Sequence, residues 1–199
     1  NTQAPTATLK EETKTPLSTT LPIQPISELF ITNGNCNSPC LWGITPGSTK
    51  LEQIDSWATT MGLALTNTTP GQYSFGYAKE GLPRISITLE VEEHIVVGLD
   101  ALIYGIHYPI IDRNEYIAFL PESILHKYGL PSQIILDTEG PHEPNAPQDK
   151  VLYDYTFFYE DQNFIVQYSG GPIEGERKGY YTLCPGQEKL ENIRVWLGR

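Results

Sequence analysis

The sequence predicts an α+β domain, a two-layer sandwich in which an antiparallel sheet carries two helix-plus-meander halves. Three observations lead there. Residues 84–91 alternate strictly, with Ile85, Ile87, Leu89 and Val91 in one phase and Arg84, Ser86, Thr88 and Glu90 in the other; period two with one polar face is the signature of a half-buried strand. Two short amphipathic helices are expected near 49–61 and 121–128. After each helix the chain runs through strand-like segments in the same order, so the unit appears twice.

Residues 1–25 hold Pro5, Pro16, Pro22 and Pro25 among repeated Thr, with few large apolar side chains and no periodicity. Such a stretch cannot offset its own ordering entropy and reads as a semi-extended tether. The single domain is assigned to 26–199. Its length suffices to bury about 70% of the surface of the unfolded chain. Ile26-Ser27-Glu28-Leu29-Phe30 gives a short apolar turn of helix, leading into Cys36-Asn37-Ser38-Pro39-Cys40-Leu41-Trp42-Gly43. Leu51, Ile54, Ala58 and Met61 then recur at helical spacing, with Thr49 and Glu52 placed as a capping box and Gly62 as the stop.

The first meander comprises 72–78, 84–91 and a strand from His94 to Leu99, the last two joined by a turn at Glu92-Glu93. In the second half Pro121 suits a first helical turn, Ile124, Leu125 and Tyr128 share a face, and Gly129-Leu130-Pro131 ends the helix. Strands are expected at 133–136, 151–159 and 164–168, with Glu160-Asp161-Gln162-Asn163 as the hairpin turn. Residues 180–183 are a candidate strand, and Leu190, Ile193 and Val195 a candidate closing element.

The net charge of -11 falls entirely on the folded part, since Lys10 and Lys14 cancel Glu11 and Glu12. A surface of this sign repels phosphate backbones and anionic head groups, which argues against nucleic acid as a partner. No apolar run is long enough to span a bilayer. The chain starts at Asn1 without an initiator Met, and Asn1-Thr2-Gln3-Ala4-Pro5-Thr6 is the composition that follows a cleaved export signal. Extracytoplasmic, membrane-tethered location is therefore expected, with a possible lipid anchor preceding Asn1.

The stretch Pro46-Gly47-Ser48-Thr49 before a helix, and Leu125-His126-Lys127-Tyr128-Gly129-Leu130-Pro131 before a strand, resemble the two halves of small bacterial envelope lipoproteins of the outer-membrane-assembly (SmpA) type and of β-lactamase-inhibitor-like domains. The Pro-Cys-Leu-Trp-Gly-Ile core of 39–44 also resembles envelope lipoproteins that carry a Pro-Cys-Trp-Trp-Gly-Ile motif, with Leu41 at the first Trp position. The resemblance implies a two-layer α/β architecture and a tethered location. It supplies no catalytic residue, because those families are not defined by one.

Residues with chemical potential are scattered. His94, His107, His126 and His142 share no helical turn or close strand register, and no His-Glu-x-x-His pattern occurs, so no metal is expected. The acidic, Pro-rich loop 137–149 lacks the spacing of a calcium loop. No Gly-x-Ser-x-Gly elbow is present, Cys184 has no neighbouring His, and no helix opens after Gly170-Gly171-Pro172 to cradle a phosphate, so no cofactor is expected. Three cysteines in an exported chain leave one odd. Pro39 favours a turn between Cys36 and Cys40, and these two are predicted to pair; a bridge from either to Cys184 is the rival, closing a longer loop.

Aromatic residues dominate 151–159, with Val151, Tyr153, Tyr155, Phe157 and Tyr159 in the phase assigned to the core. If helices cover one side of the sheet, the other stays open. The residues that alternate away from the core are then the candidate binding surface: Ser86, Thr88 and Glu90 on one strand, Asp154, Thr156 and Phe158 on another, Ile165 and Gln167 on a third. The function expected is a tethered binding or assembly module for an unknown protein or envelope component. An envelope hydrolase with a spatially assembled site, or a protein inhibitor of an enzyme, are the alternatives.

Overall fold

The structure, a computed structural model, describes residues 21–36, 39–106, 111–139, 150–174 and 190–198. Among these are three α-helices and eight strands: α1 (Ile26–Thr32), α2 (Leu51–Thr60), β1 (Thr66–Thr69), β2 (Gln72–Tyr77), β3 (Arg84–Glu92), β4 (Ile95–Tyr104), α3 (Pro121–Tyr128), β5 (Gln133–Glu139), β6 (Lys150–Tyr159), β7 (Phe164–Glu174) and β8 (Leu190–Leu197). The strands form one antiparallel sheet in the order β1-β2-β3-β4-β8-β7-β6-β5. Two meanders are thus joined by the last strand, which pairs with β4 on one side and β7 on the other.

All three helices lie on one face. Ile85, Ile87 and Leu89 of β3, Ala101 and Ile103 of β4, Ile193 and Val195 of β8, Val166 and Tyr168 of β7 and Phe157 of β6 are buried in one cluster with Leu29, Phe30, Ile54, Trp57 and Ile124 of the helices. Burying each such aliphatic side chain contributes about 1.5–3 kcal/mol. Trp57 of α2 packs edge-on against Phe75 of β2, and Tyr128 of α3 edge-on against Tyr159 and tilted against Phe164. Between the halves the 3-10 segment Arg113–Phe119 adds Tyr116 and Phe119 to the core, and the buried Tyr168 hydroxyl donates to the Phe119 carbonyl at 3.0 Å.

The Pro-Cys-Leu-Trp-Gly segment fills the centre of this core. Trp42 is fully buried, edge-on to Phe30 at 5.3 Å and 6.2 Å from Trp57. Asn33, which ends α1 in a left-handed conformation, holds the segment: its amide donates to the Cys40 carbonyl and its side-chain oxygen accepts from the Trp42 N–H, both at 2.8 Å. The sulfurs of Cys36 and Cys40 stand 2.07 Å apart, the local pairing expected from the sequence; Cys184 lies outside the described residues. Within the stretch read as tether, Leu21 packs against the core and the Pro22 carbonyl accepts from the Trp57 indole at 2.8 Å.

Several local expectations shift. The Thr49–Glu52 capping box is replaced by another arrangement: buried Thr49 accepts from the Thr45 N–H at 2.9 Å, and Gln53 reaches back to the Lys50 N–H at 2.8 Å. The turn of the central hairpin falls at Glu93-His94, both at positive φ, one residue later than expected. An irregularity after Glu90 displaces the register there. The candidate strand at 180–183 lies outside the described residues.

Candidate functional site

The face of the sheet away from the helices is left open by the described residues, and its side chains form rows set by the strand register. One row runs Ser86, Leu102, Arg194, Gln167, Thr156, Ile135 from β3 to β5; the next runs Thr88, Asp100, Trp196, Ile165, Phe158, Gln133. Every residue nominated from the sequence is on this face: Ser86 is exposed, and Thr88, Glu90, Asp154, Thr156, Phe158, Ile165 and Gln167 are half-buried. They do not form a single group. Ser86, Thr88 and Glu90 on β3 are separated from β7 by β4 and β8, about 14 Å at three strand spacings. Phe158 and Ile165 are directly opposed, as are Thr156 and Gln167.

What joins the two groups is β8, whose outward residues the sequence reading passed over. Trp196 stands between Asp100 and Ile165 in the row, half-buried, so that Trp196, Ile165 and Phe158 make an apolar strip across three strands. The Arg194 guanidinium lies 4.6 Å from the centre of the Trp196 ring and donates through Nε to Asp100 at 2.9 Å. That hydrogen bond with Asp100 raises the guanidinium pKa above its usual value, opposed by partial burial. The cation is therefore pinned over an aromatic face, the geometry of a cation–π contact. At the end of the strip a cavity of about 190 Å³ is lined by Phe158, Phe164, Ile165, Trp196, Glu160 and Asn163, among others. Trp196 had a readable signal: in β8 a tryptophan sits in the polar phase with Asn192 and Arg194, opposite Ile193, Val195 and Leu197.

Elsewhere, His94 is exposed and pairs with Glu52 at 3.3 Å, and His126 lies in the last turn of α3. His107 and His142 and most of the loop 137–149 lie outside the described residues. Among the described residues no three His, Cys, Asp or Glu side chains gather to hold a metal ion, and no helix is long and apolar enough to cross a membrane.

No protein-family model, curated protein or solved structure matches the chain.

Proposed function

We propose that the chain is an extracytoplasmic, surface-tethered binding module, and that the open face of its sheet receives an apolar side chain of a partner protein. The observation that carries this reading is the strip of Trp196, Ile165 and Phe158 beside the Arg194–Asp100 ion pair. Tryptophan and arginine are enriched among the residues that dominate protein interfaces, and an apolar centre with a polar rim is the anatomy of such a patch. Thr156, Gln167, Thr88 and Ser86 supply the rim. The size of the cavity supports a protein partner: at about 190 Å³ it is smaller than the roughly 300–1,000 Å³ of small-molecule sites, so it suits one anchoring side chain better than a whole ligand. Location rests on the Thr/Pro-rich N-terminal stretch and on the Cys36–Cys40 pair, since disulfides persist in oxidising compartments.

The test uses the full chain as bait for envelope extract, compared with a Phe158→Ala/Ile165→Ala double variant and with Trp196→Ala. These half-buried side chains can be cut back without opening a core cavity, so the variants stay folded while capture of the partner falls at least tenfold, the loss expected when hot-spot side chains are truncated. Undiminished capture by both variants excludes this face as the binding surface.

A further inference from the structure

The two edges of the sheet are built differently. Edge strand β1 is protected in the usual ways: Thr66–Thr69 is short, wholly polar and irregular in register between Asn67 and Thr69. Among the described residues, edge strand β5 has none of these devices. It runs seven residues, pairs with β6 without a register shift from Gln133 opposite Phe158 to Glu139 opposite Leu152, and contains neither Pro nor Lys. Three consecutive apolar residues stand out on it, Ile134 at 57%, Ile135 at 44% and Leu136 at 50% exposure. A long, regular, apolar edge is a template for adding a strand.

We propose that β5 is the pairing edge for a second copy of this chain, antiparallel about a two-fold axis through Ile135. The partner is identified by self-complementarity. Gln133, Ile135 and Asp137 share the open face with Phe158, Thr156 and Asp154, whereas Ile134 and Leu136 share the helix-covered side with Phe157 and Tyr155. Antiparallel pairing centred on Ile135 sets Ile135 against its own copy, Ile134 against Leu136 twice, and Gln133 against Asp137 twice. Apolar residues meet apolar ones on both faces, and each Asp137 carboxylate meets an amide donor. Asp137 has a particular need of one, because its neighbour across β6 is a second carboxylate, Asp154. Moving the axis to Leu136 sets Ile135 against Asp137, and parallel pairing brings Asp137 beside Asp137; like charges in that position are destabilising. Two strands of this length bury less than the roughly 1,600 Å² of a standard interface, so the dimer is weak and forms reversibly with concentration.

Sedimentation equilibrium of the full chain tests this. The wild type shows a monomer–dimer equilibrium, and Ile135→Lys, which opposes two cations at the axis, is monomeric with an unchanged melting temperature. Gln133→Lys, now facing the other copy's Asp137, tightens the dimer several-fold at low salt and loses that gain at high salt; Gln133→Asp weakens it. A wild type that stays monomeric up to about 1 mM, where association is barely favourable, overturns the proposal, as do an Ile135→Lys dimer of undiminished strength and equal effects of the two Gln133 variants. An unaltered monomer that nonetheless binds an extended peptide along β5 overturns it in favour of a different occupant.

Discussion

Removing the Asn33 side chain should detach the Cys40–Trp42 segment from α1 and cost more stability than any other single polar substitution described here. Asn33 is buried, and its amide group makes two buried hydrogen bonds at 2.8 Å, one to the Cys40 carbonyl and one from the Trp42 N–H. Deleting it strands one backbone acceptor and one donor, each costing about 1–3 kcal/mol when left buried without a partner. Asn33 also sits at φ 50°, ψ 35°. Any residue with a Cβ, Asn included, bears ~1–2 kcal/mol there that glycine escapes, so the glycine variant recovers part of what the lost hydrogen bonds cost. Asn33→Gly should therefore lose about 2–4 kcal/mol, and Asn33→Ala about 1 kcal/mol more. Urea unfolding followed by tryptophan emission and far-UV circular dichroism separates the two contributions, provided the slope with denaturant is unchanged. An Asn33→Gly variant within about 0.5 kcal/mol of wild type, the range of ordinary surface substitutions, would refute the reasoning.

Of the three tryptophans, Trp42 and Trp57 are buried and Trp196 is half-buried on the open face; acrylamide should quench Trp196 selectively, and quenching that survives undiminished in Trp196→Phe would show that the accessible tryptophan is one of the other two. Burial, aided by the neighbouring Tyr159, pushes the Tyr128 phenol up to about 12. Its contribution to stability is complete below the ordinary value near 10 and is lost as pH rises from there towards 12, because the unfolded chain releases the proton first; urea midpoints across that range should fall less steeply in Tyr128→Phe, and parallel curves would remove Tyr128 as a source of the loss. Gly198 has φ 86°, and an added Cβ collides with the Val97 carbonyl. Gly198→Ala should therefore cost at least ~2 kcal/mol, lowering the melting temperature by about 4–8 °C, and a calorimetric shift below about 1 °C, well short of that range, would contradict the close approach.

Local signals were legible where one residue type dominates the physics. Pro121 and Gly129 bound α3 because one fits a first helical turn and the other accepts positive φ. The alternation of β3 marks its buried phase without ambiguity. The capping of α2 was misplaced because Thr49 had a stronger local use, closing the Thr45 turn, which left the helix start to Lys50 and Gln53. β1 went unread because a strand exposed along its whole length has no alternation to show. The order of strands is not encoded in period two at all: nothing in 190–197 says that both meanders will offer it an edge. The site inherited this gap. Phe158, Ile165 and their polar neighbours were assigned to the right face, but Trp196 and Arg194 complete the strip only once β8 is known to lie between β4 and β7.

A sheet whose middle strand is the last of the described strands in sequence has consequences for how the protein is made. Synthesis delivers β1 to β4, then β5 to β7, and β4 and β7 can be linked only when residues 190–197 have emerged. Until then two hydrogen-bonding edges that end up innermost are on the outside, one on each meander. Closing them requires contacts between residues as distant as Asp100 and Arg194, the kind of long-range closure that makes folding slow and leaves incomplete chains open to wrong partners. Without residues 190–197 the described strands would therefore form two half-sheets with no strand between them.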